Sequence, residues 1–156
     1  IIEIPKNSQC KYELDKETGL IKLDRVLYTS THYPANYGFI PRTFADDKDP
    51  LDVLVLFSPE IYPLTLCKVR PIGVVRMVDN GDIDDKIIGV LVNDPTSKDY
   101  HSVNDLPSHI FDEIMHFFKV YKQLENKKTA VKSLYDKDKA IEIIQKAIDD
   151  YKEIFA

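Results

Sequence analysis

Residues 47–57 read Asp47-Lys48-Asp49-Pro50-Leu51-Asp52-Val53-Leu54-Val55-Leu56-Phe57. The second half of this stretch is almost entirely apolar, which predicts a strand that is buried on both faces of a sheet. The first half holds three carboxylates within six residues, and Pro50 restricts the backbone between them. Carboxylates at this spacing repel each other unless something neutralises them, and a hard divalent cation with oxygen ligands would do so. A solvated acidic loop without a ligand is the alternative.

A second acidic segment, residues 79–85, also adjoins an apolar strand. Neither segment has the glycine and glutamate spacing of an EF-hand calcium loop. Two such segments favour a metal site more than one does. The whole chain carries 21 basic and 26 acidic residues, a net charge of −5, which argues against nucleic acid or an anionic membrane as a partner.

The length of 156 residues fits one domain that spans 1–156. The chain begins at Ile1, without a methionine and inside a strand-like run, so we expect that an N-terminal segment is missing. Cys10 and Cys67 are too few for a disulfide framework and are not spaced as a metal site. They favour a reducing, cytoplasmic compartment.

The apolar pattern changes along the chain. From Lys11 to about Val92, short β-type runs alternate with turn residues, including a turn at residues 15–19. After residue 104, apolar residues recur every three or four positions, which predicts two helices. We expect Asp105 to cap the first helix and the second to begin at about Asp138, with one more strand between them. The fold class is therefore mainly β with α (α+β), as a small closed barrel with helices packed outside.

Basic and aromatic residues lie close to the acidic segments. Lys11, Arg25, Lys86 and Lys122 near metal-binding carboxylates would suit a highly anionic ligand that arrives with its own metal ions, such as a polyphosphate. Taken alone, each basic residue fits a charged surface better than a ligand site. Residues 33–41 hold two tyrosines and a glycine that permits close backbone approach. They indicate either hydroxyls facing a polar ligand or an aromatic core.

Several segments, taken in order, resemble the soluble inorganic pyrophosphatases of family I, which hydrolyse pyrophosphate to two orthophosphates. The resemblance runs from Glu3 to the second helix and centres on residues 47–55. The other matching segments are Lys11-Tyr12-Glu13, Asp24-Arg25, Tyr33-Pro34-Ala35-Asn36-Tyr37-Gly38, Asp79 with Asp84 and Lys86, and Tyr121-Lys122. A position of the central segment that is often glycine in the family is Lys48 here.

The resemblance implies a role for each matching side chain. The implied metal ligands are Asp47, Asp52, Asp79 and Asp84. The implied general base, which takes a proton from the attacking water, is Asp49. The implied phosphate-binding groups are Lys11, Arg25, Tyr37, Lys86, Tyr121 and Lys122. The implied outer carboxylates are Glu3 and Glu13.

The resemblance also implies a five-stranded OB-like closed β-barrel, several Mg²⁺ ions per site with Mn²⁺ or Zn²⁺ as substitutes, and direct in-line attack of a metal-activated water. Pyrophosphate is the implied substrate. A homo-oligomer is expected, with a hexamer favoured and a dimer possible. Two alternatives compete: an OB-like module whose aromatics stack bases, which the net charge opposes, and a structural Ca²⁺ module, which leaves Arg25, Tyr121 and Lys122 without a role.

Overall fold

The computed structural model describes residues 1–156 and contains eight β-strands and two α-helices. The strands are β1 (Ile2–Ile4), β2 (Cys10–Leu14), β3 (Ile21–Val26), β4 (Asn36–Phe39), β5 (Asp52–Leu56), β6 (Val69–Asp79), β7 (Asp82–Leu91) and β8 (Thr129–Asp136). The helices are α1 (Ser108–Val120) and α2 (Lys137–Phe155). The prediction of a mainly β chain with two C-terminal helices and a strand between them is confirmed. No helix is both long and apolar enough to cross a membrane.

Six strands form one sheet in the order β1-β4-β5-β7-β6-β8, and β2 and β3 pair separately as a hairpin. All pairs are antiparallel except β5 and β7. A closed barrel would need hydrogen bonds between the outermost strands, β1 and β8, and the strand order contains no such pair. The five-stranded closed barrel is therefore not confirmed.

The predicted burial of β5 on both faces is confirmed. Leu54 and Leu56 belong to one apolar cluster, whereas Val53 and Val55 belong to the other. The first cluster includes the apolar face of α1, and the second includes Ala140 and other small or aliphatic residues of α2. Successive side chains of a strand point to opposite faces, so the two helices cover opposite sides of the sheet and hold β5 in its centre.

The predicted cap of the first helix needs correction, whereas the second helix begins within one residue of its predicted start. Asp105 does not cap α1; its carboxylate instead accepts hydrogen bonds from the backbone N–H groups of His101 and Ser102, within a short 3₁₀ turn at Val103–Asp105. The rigid Pro107 then starts α1 at Ser108. The helix α2 begins one residue before the predicted Asp138, because the Asp136 carboxylate accepts from the Lys137 N–H at 2.8 Å and caps it.

Gly38 confirms the predicted close backbone approach. A Cβ atom at this position would lie 2.0 Å from the carbonyl oxygen of Ile1, so a larger residue would push β1 away from β4. The neighbouring Tyr33 and Tyr37 rings are buried in the first apolar cluster. Residues 33–41 thus combine an aromatic core with a tightly paired strand edge.

Candidate active site

One cleft brings together twelve of the thirteen side chains named from the sequence. It lies among the β2–β3 hairpin, the loop before β5, the facing ends of β6 and β7, and the end of α1. The twelve are Glu3, Lys11, Glu13, Tyr37, Asp47, Asp49, Asp52, Asp79, Asp84, Lys86, Tyr121 and Lys122. The exception is Arg25. No serine, threonine, cysteine or histidine lines this cleft.

Lys86 forms the buried centre of the cleft. The parallel register of β5 and β7 places Asp52 directly beside Lys86. The Lys86 Nζ donates to Asp52 Oδ2 at 2.6 Å and to the Tyr37 hydroxyl at 2.7 Å, and it lies 3.0 Å from Asp84 Oδ1. Burial alone lowers the pKa of Lys86, but the charges of Asp52 and Asp84 raise that pKa well above its usual value. Lys86 is therefore a fixed positive charge.

The acidic side chains of the cleft act on one another. Burial, together with the charges of Asp84 and Asp52, raises the pKa of Asp47 to about 6. Burial also raises the pKa of Asp84 and of Glu3, and in both cases the charge of Asp52 adds to the effect. A carboxylate whose negative charge is disfavoured in this way is stabilised by a cation. The cleft thus favours additional positive charge.

The loop before β5 holds its carboxylates through a strained turn. Lys48 has φ +68°, in the left-handed region where glycine is favoured. The turn is closed by hydrogen bonds from the Lys48 N–H to the Ala45 carbonyl at 2.9 Å and from the Asp49 N–H to Asp47 Oδ1 at 3.1 Å. This conformation explains why a glycine would suit the position that Lys48 occupies. It also directs both Asp47 and Asp49 into the cleft.

The donor set fits a hard divalent cation, although no three acidic side chains form a ready-made ion site. Lys86 instead neutralises Asp52 and Asp84, and Lys122 lies 2.5 Å from Asp79 Oδ2. The other oxygen of Asp79, Oδ1, is buried and has no hydrogen-bond partner. A buried carboxylate oxygen without a partner is costly, and a cation bound by oxygen ligands would satisfy it.

Three tyrosines supply hydroxyl groups at the cleft. Burial raises the pKa of Tyr33, Tyr37 and Tyr121, all of which line the cleft. These hydroxyls therefore stay protonated and can donate hydrogen bonds to an anion. Their rings are buried in the core, so they are not available to stack on a base.

Arg25 lies beside the cleft but does not line it. Its Nη1 is 3.3 Å from Glu125 Oε1. Arg25 pairs in register with Lys11 across the hairpin, and Lys11, which does line the cleft, is 3.0 Å from Asp24. The structure thus brings Arg25 beside the site but gives it an acidic partner.

Sequence reasoning missed Lys16, which also lines the cleft. Lys16 is exposed in the turn between β2 and β3, which Gly19 closes with a hydrogen bond to the Asp15 carbonyl at 2.8 Å. The other cleft lysines have acidic partners, whereas Lys16 has none. The turn was visible in the sequence, but the direction of its side chains depends on how the hairpin lies over β1. Pairing of the Leu14 N–H with Glu3 Oε2 at 2.7 Å fixes that direction.

Comparisons with known proteins agree on one family. The family described as Inorganic pyrophosphatase matches residues 1–152. Soluble inorganic pyrophosphatase 1 of Arabidopsis thaliana is 49% identical over 153 residues, which cover 98% of this chain and 72% of that protein. The crystal structure of inorganic pyrophosphatase from Thermus thermophilus superposes with a TM-score of 0.94 at 41% identity, over 97% of this chain and 89% of that chain. The Helicobacter pylori enzyme has a TM-score of 0.94 at 44% identity, over 97% and 91% of the two chains.

Proposed function

This chain belongs to the inorganic pyrophosphatase family, so it is an enzyme that hydrolyses inorganic pyrophosphate to two orthophosphates, and we propose that the cleft around Lys86 is its catalytic site. The observation that carries the proposal is the convergence of acidic, basic and phenolic side chains from six separate segments on one cleft. The rings of Tyr33, Tyr37 and Tyr121 are buried, which disfavours the alternative that bases stack on them, and the cleft lysines give a purely structural calcium site no advantage.

The basic side chains fit a polyanionic substrate. Pyrophosphate repels an approaching nucleophile through its own negative charge, so cations must offset that charge first. Lys11, Lys16, Lys86 and Lys122 line the cleft, and we propose that they bind the phosphoryl oxygens together with the hydroxyls of Tyr37 and Tyr121. Lys86 and Lys122 are already held by aspartates, so little reorganisation is needed when substrate binds.

We propose that Asp47, Asp52, Asp79 and Asp84 hold the metal on which this family depends, and that the metal is Mg²⁺, with Mn²⁺ or Zn²⁺ as substitutes. Mg²⁺ is bound in proteins mainly by carboxylate oxygens and by substrate phosphates. When bound, it lowers the pKa of water and offsets phosphate charge. The mutual repulsion of the aspartates and the partnerless Asp79 Oδ1 support this assignment.

Asp49 suits the role of general base. Its carboxylate lines the cleft and is exposed, and it takes no part in a hydrogen bond or ion pair. It can therefore accept a proton from the attacking water as the water oxygen bonds to phosphorus and the bridging P–O bond breaks. The leaving orthophosphate keeps the bridging oxygen, where Lys86 and the tyrosine hydroxyls offset its charge. The cleft has no serine, threonine, cysteine or histidine that could act as a nucleophile, which favours this direct attack over a covalent intermediate.

We further propose a cytoplasmic homo-oligomer, with a hexamer favoured over a dimer. The free Cys10 and Cys67 suit a reducing compartment. Exposed aromatic and aliphatic side chains such as Tyr62 and Leu66 suit an interface between subunits. Sedimentation equilibrium would give the number of subunits. The closed OB-like barrel stays a proposal.

The catalytic site is tested by Asp52→Ala with Asp82→Ala as a control. Both residues are acidic, but Asp82 is exposed and lies outside the cleft. We expect Asp52→Ala to weaken Mg²⁺ binding in isothermal titration and to slow phosphate release from pyrophosphate, because one cleft ligand is lost. Asp82→Ala should match the parent in both assays. Unchanged Mg²⁺ affinity and turnover in Asp52→Ala would show that the metal lies elsewhere.

A further inference from the structure

Glu125 forms a buried ion pair with Arg25 beside the catalytic cleft. Its Oε1 lies 3.3 Å from Arg25 Nη1, and the two side chains are only 7% and 19% exposed. Each partner keeps one buried atom without a hydrogen-bond partner, Oε2 of Glu125 and Nε of Arg25. A buried ion pair that leaves polar atoms without hydrogen bonds adds little to stability. Stability alone therefore does not explain why this pair is present.

The pair joins two parts of the molecule that carry the cleft. Arg25 is on β3, in the hairpin that is not hydrogen-bonded to the main sheet. Glu125 ends the 3₁₀ turn that follows α1, and its N–H donates to the Lys122 carbonyl at 3.1 Å. In a 3₁₀ turn, residues three apart lie on the same side of the turn. The Glu125 side chain therefore lies on the same side as the Lys122 side chain, which contacts Asp79.

Few polar contacts hold the hairpin in place. Beyond its own strands and the adjoining residues, it makes one hydrogen bond, from the Leu14 N–H to Glu3 Oε2 at 2.7 Å, and the Arg25–Glu125 ion pair. The first contact holds β2 and the second holds β3. The same hairpin presents Lys11 to the cleft, directly across from Arg25. Loss of the Glu125 contact would therefore leave β3 held only by its pairing with β2 and by the adjoining chain.

We propose that Glu125 is a positioning residue, which holds Arg25 and the β2–β3 hairpin against the cleft so that Arg25 is oriented for a substrate phosphate. The inference rests on the proposed function and takes the phosphate-binding role of Arg25 from the family resemblance of the sequence. Arginine presents five N–H donors in a rigid fork. One donor can remain with Glu125 while others face an anion, and the carboxylate fixes the plane of the fork.

The test uses steady-state hydrolysis of pyrophosphate by Glu125→Gln, Glu125→Asp and Arg25→Met. Glu125→Gln keeps the size of the side chain but removes the charge that orients Arg25. We expect KM to rise about tenfold, the scale of one lost charge-assisted contact. We expect kcat to stay within about threefold of the parent, because the variant weakens substrate binding and leaves the chemical step unchanged. Glu125→Asp should recover most of the KM, since the carboxylate is restored. Glu142→Gln, which removes an exposed charge on α2, should match the parent.

A double variant shows whether Glu125 acts through Arg25. If it does, Arg25→Met combined with Glu125→Gln will have the KM of Arg25→Met alone. A lower KM in Glu125→Gln would show that Glu125 competes with phosphate for Arg25. An unchanged KM with a lower melting temperature would show that Glu125 has only a structural role. Either result would overturn the proposal. If Arg25→Met raises KM while Glu125→Gln does not, only the positioning role fails. If neither raises KM, the phosphate-binding role of Arg25 fails with it.

Discussion

Replacement of Lys86 by methionine tests how the cleft balances its charges. Methionine is apolar and of similar length, so the packing around Tyr37 and Phe118 is largely kept, whereas the ammonium charge is lost. Lys86 is 4% exposed, and its partners Asp52 and Asp84 are 22% and 11% exposed. Without Lys86, the two carboxylates would face each other with no positive charge between them.

The expected cost follows from this burial. Removal of one partner from a buried ion pair destabilises a protein by roughly 3–5 kcal/mol. Water can reach part of Asp52, so we expect the lower end, about 3 kcal/mol in metal-free buffer. For a chain of this size, that corresponds to a fall in melting temperature of about 6–12 °C. Added Mg²⁺ should reduce the deficit, because a cation held by Asp52 and Asp84 restores the missing positive charge.

Urea unfolding and scanning calorimetry, each with EDTA and with Mg²⁺, measure this effect. Lys139→Met is the matched control, since Lys139 pairs with Glu142 on the surface and should change stability by less than about 0.5 kcal/mol. A loss below about 1 kcal/mol for Lys86→Met in EDTA would refute the view that Lys86 neutralises the two aspartates. An equal loss with and without Mg²⁺ would refute the assignment of these aspartates to the metal.

Three further changes test other parts of the site and the fold. Asp49→Asn should lower kcat by roughly 10² or more, the scale of a positioned proton acceptor, while isothermal titration shows Mg²⁺ binding retained; turnover within threefold of the parent, by the same assay, would remove Asp49 from the role of base. Lys16→Ala should raise KM for pyrophosphate several-fold at low ionic strength, whereas Lys22→Ala, which alters an exposed lysine of the same hairpin outside the cleft, should not; equal effects would indicate general surface charge. Asp136→Ala should lower the free energy of unfolding by about 1 kcal/mol through loss of the α2 cap. The hydrogen bond from the Lys137 N–H lowers the pKa of Asp136. In the parent, the stabilisation from this cap is therefore present above the usual carboxyl pKa and is lost as pH falls through the lowered pKa. A stability difference between parent and variant that does not shrink in acid would contradict the role of Asp136 as the cap.

The sequence predicted the elements that local patterns determine. The apolar run of β5 and the change to helical spacing after residue 104 identify the strands and helices because burial repeats with the period of each element. The separation of the hairpin from the main sheet was not predictable in this way. It depends on which separate segments of the chain come into contact, as the Glu3 side chain does with the backbone of Leu14.

The candidate site also has a part that local sequence patterns predict and a part that they do not. The aspartates of residues 47–52 were recognisable because their spacing is compact and they precede a buried strand. The contact of Asp52 with Lys86 depends on the parallel register of β5 and β7, which no local pattern specifies. No local pattern marks Lys16 or Glu125 as part of the site, because the position of each relative to the cleft depends on how the hairpin docks.

Two adjacent aspartates provide the most direct test of the catalytic site. Asp47 lines the cleft, whereas Asp46 is exposed outside it, 4.0 Å from Lys146. Phosphate release from pyrophosphate should be measured for Asp47→Asn and Asp46→Asn across a Mg²⁺ titration. We predict that Asp47→Asn loses turnover by roughly 10² or more at limiting Mg²⁺, the scale set by displacement of reacting groups, and that Asp46→Asn follows the parent curve. Equal curves for the two variants would contradict the assignment of this cleft as the site of pyrophosphate hydrolysis.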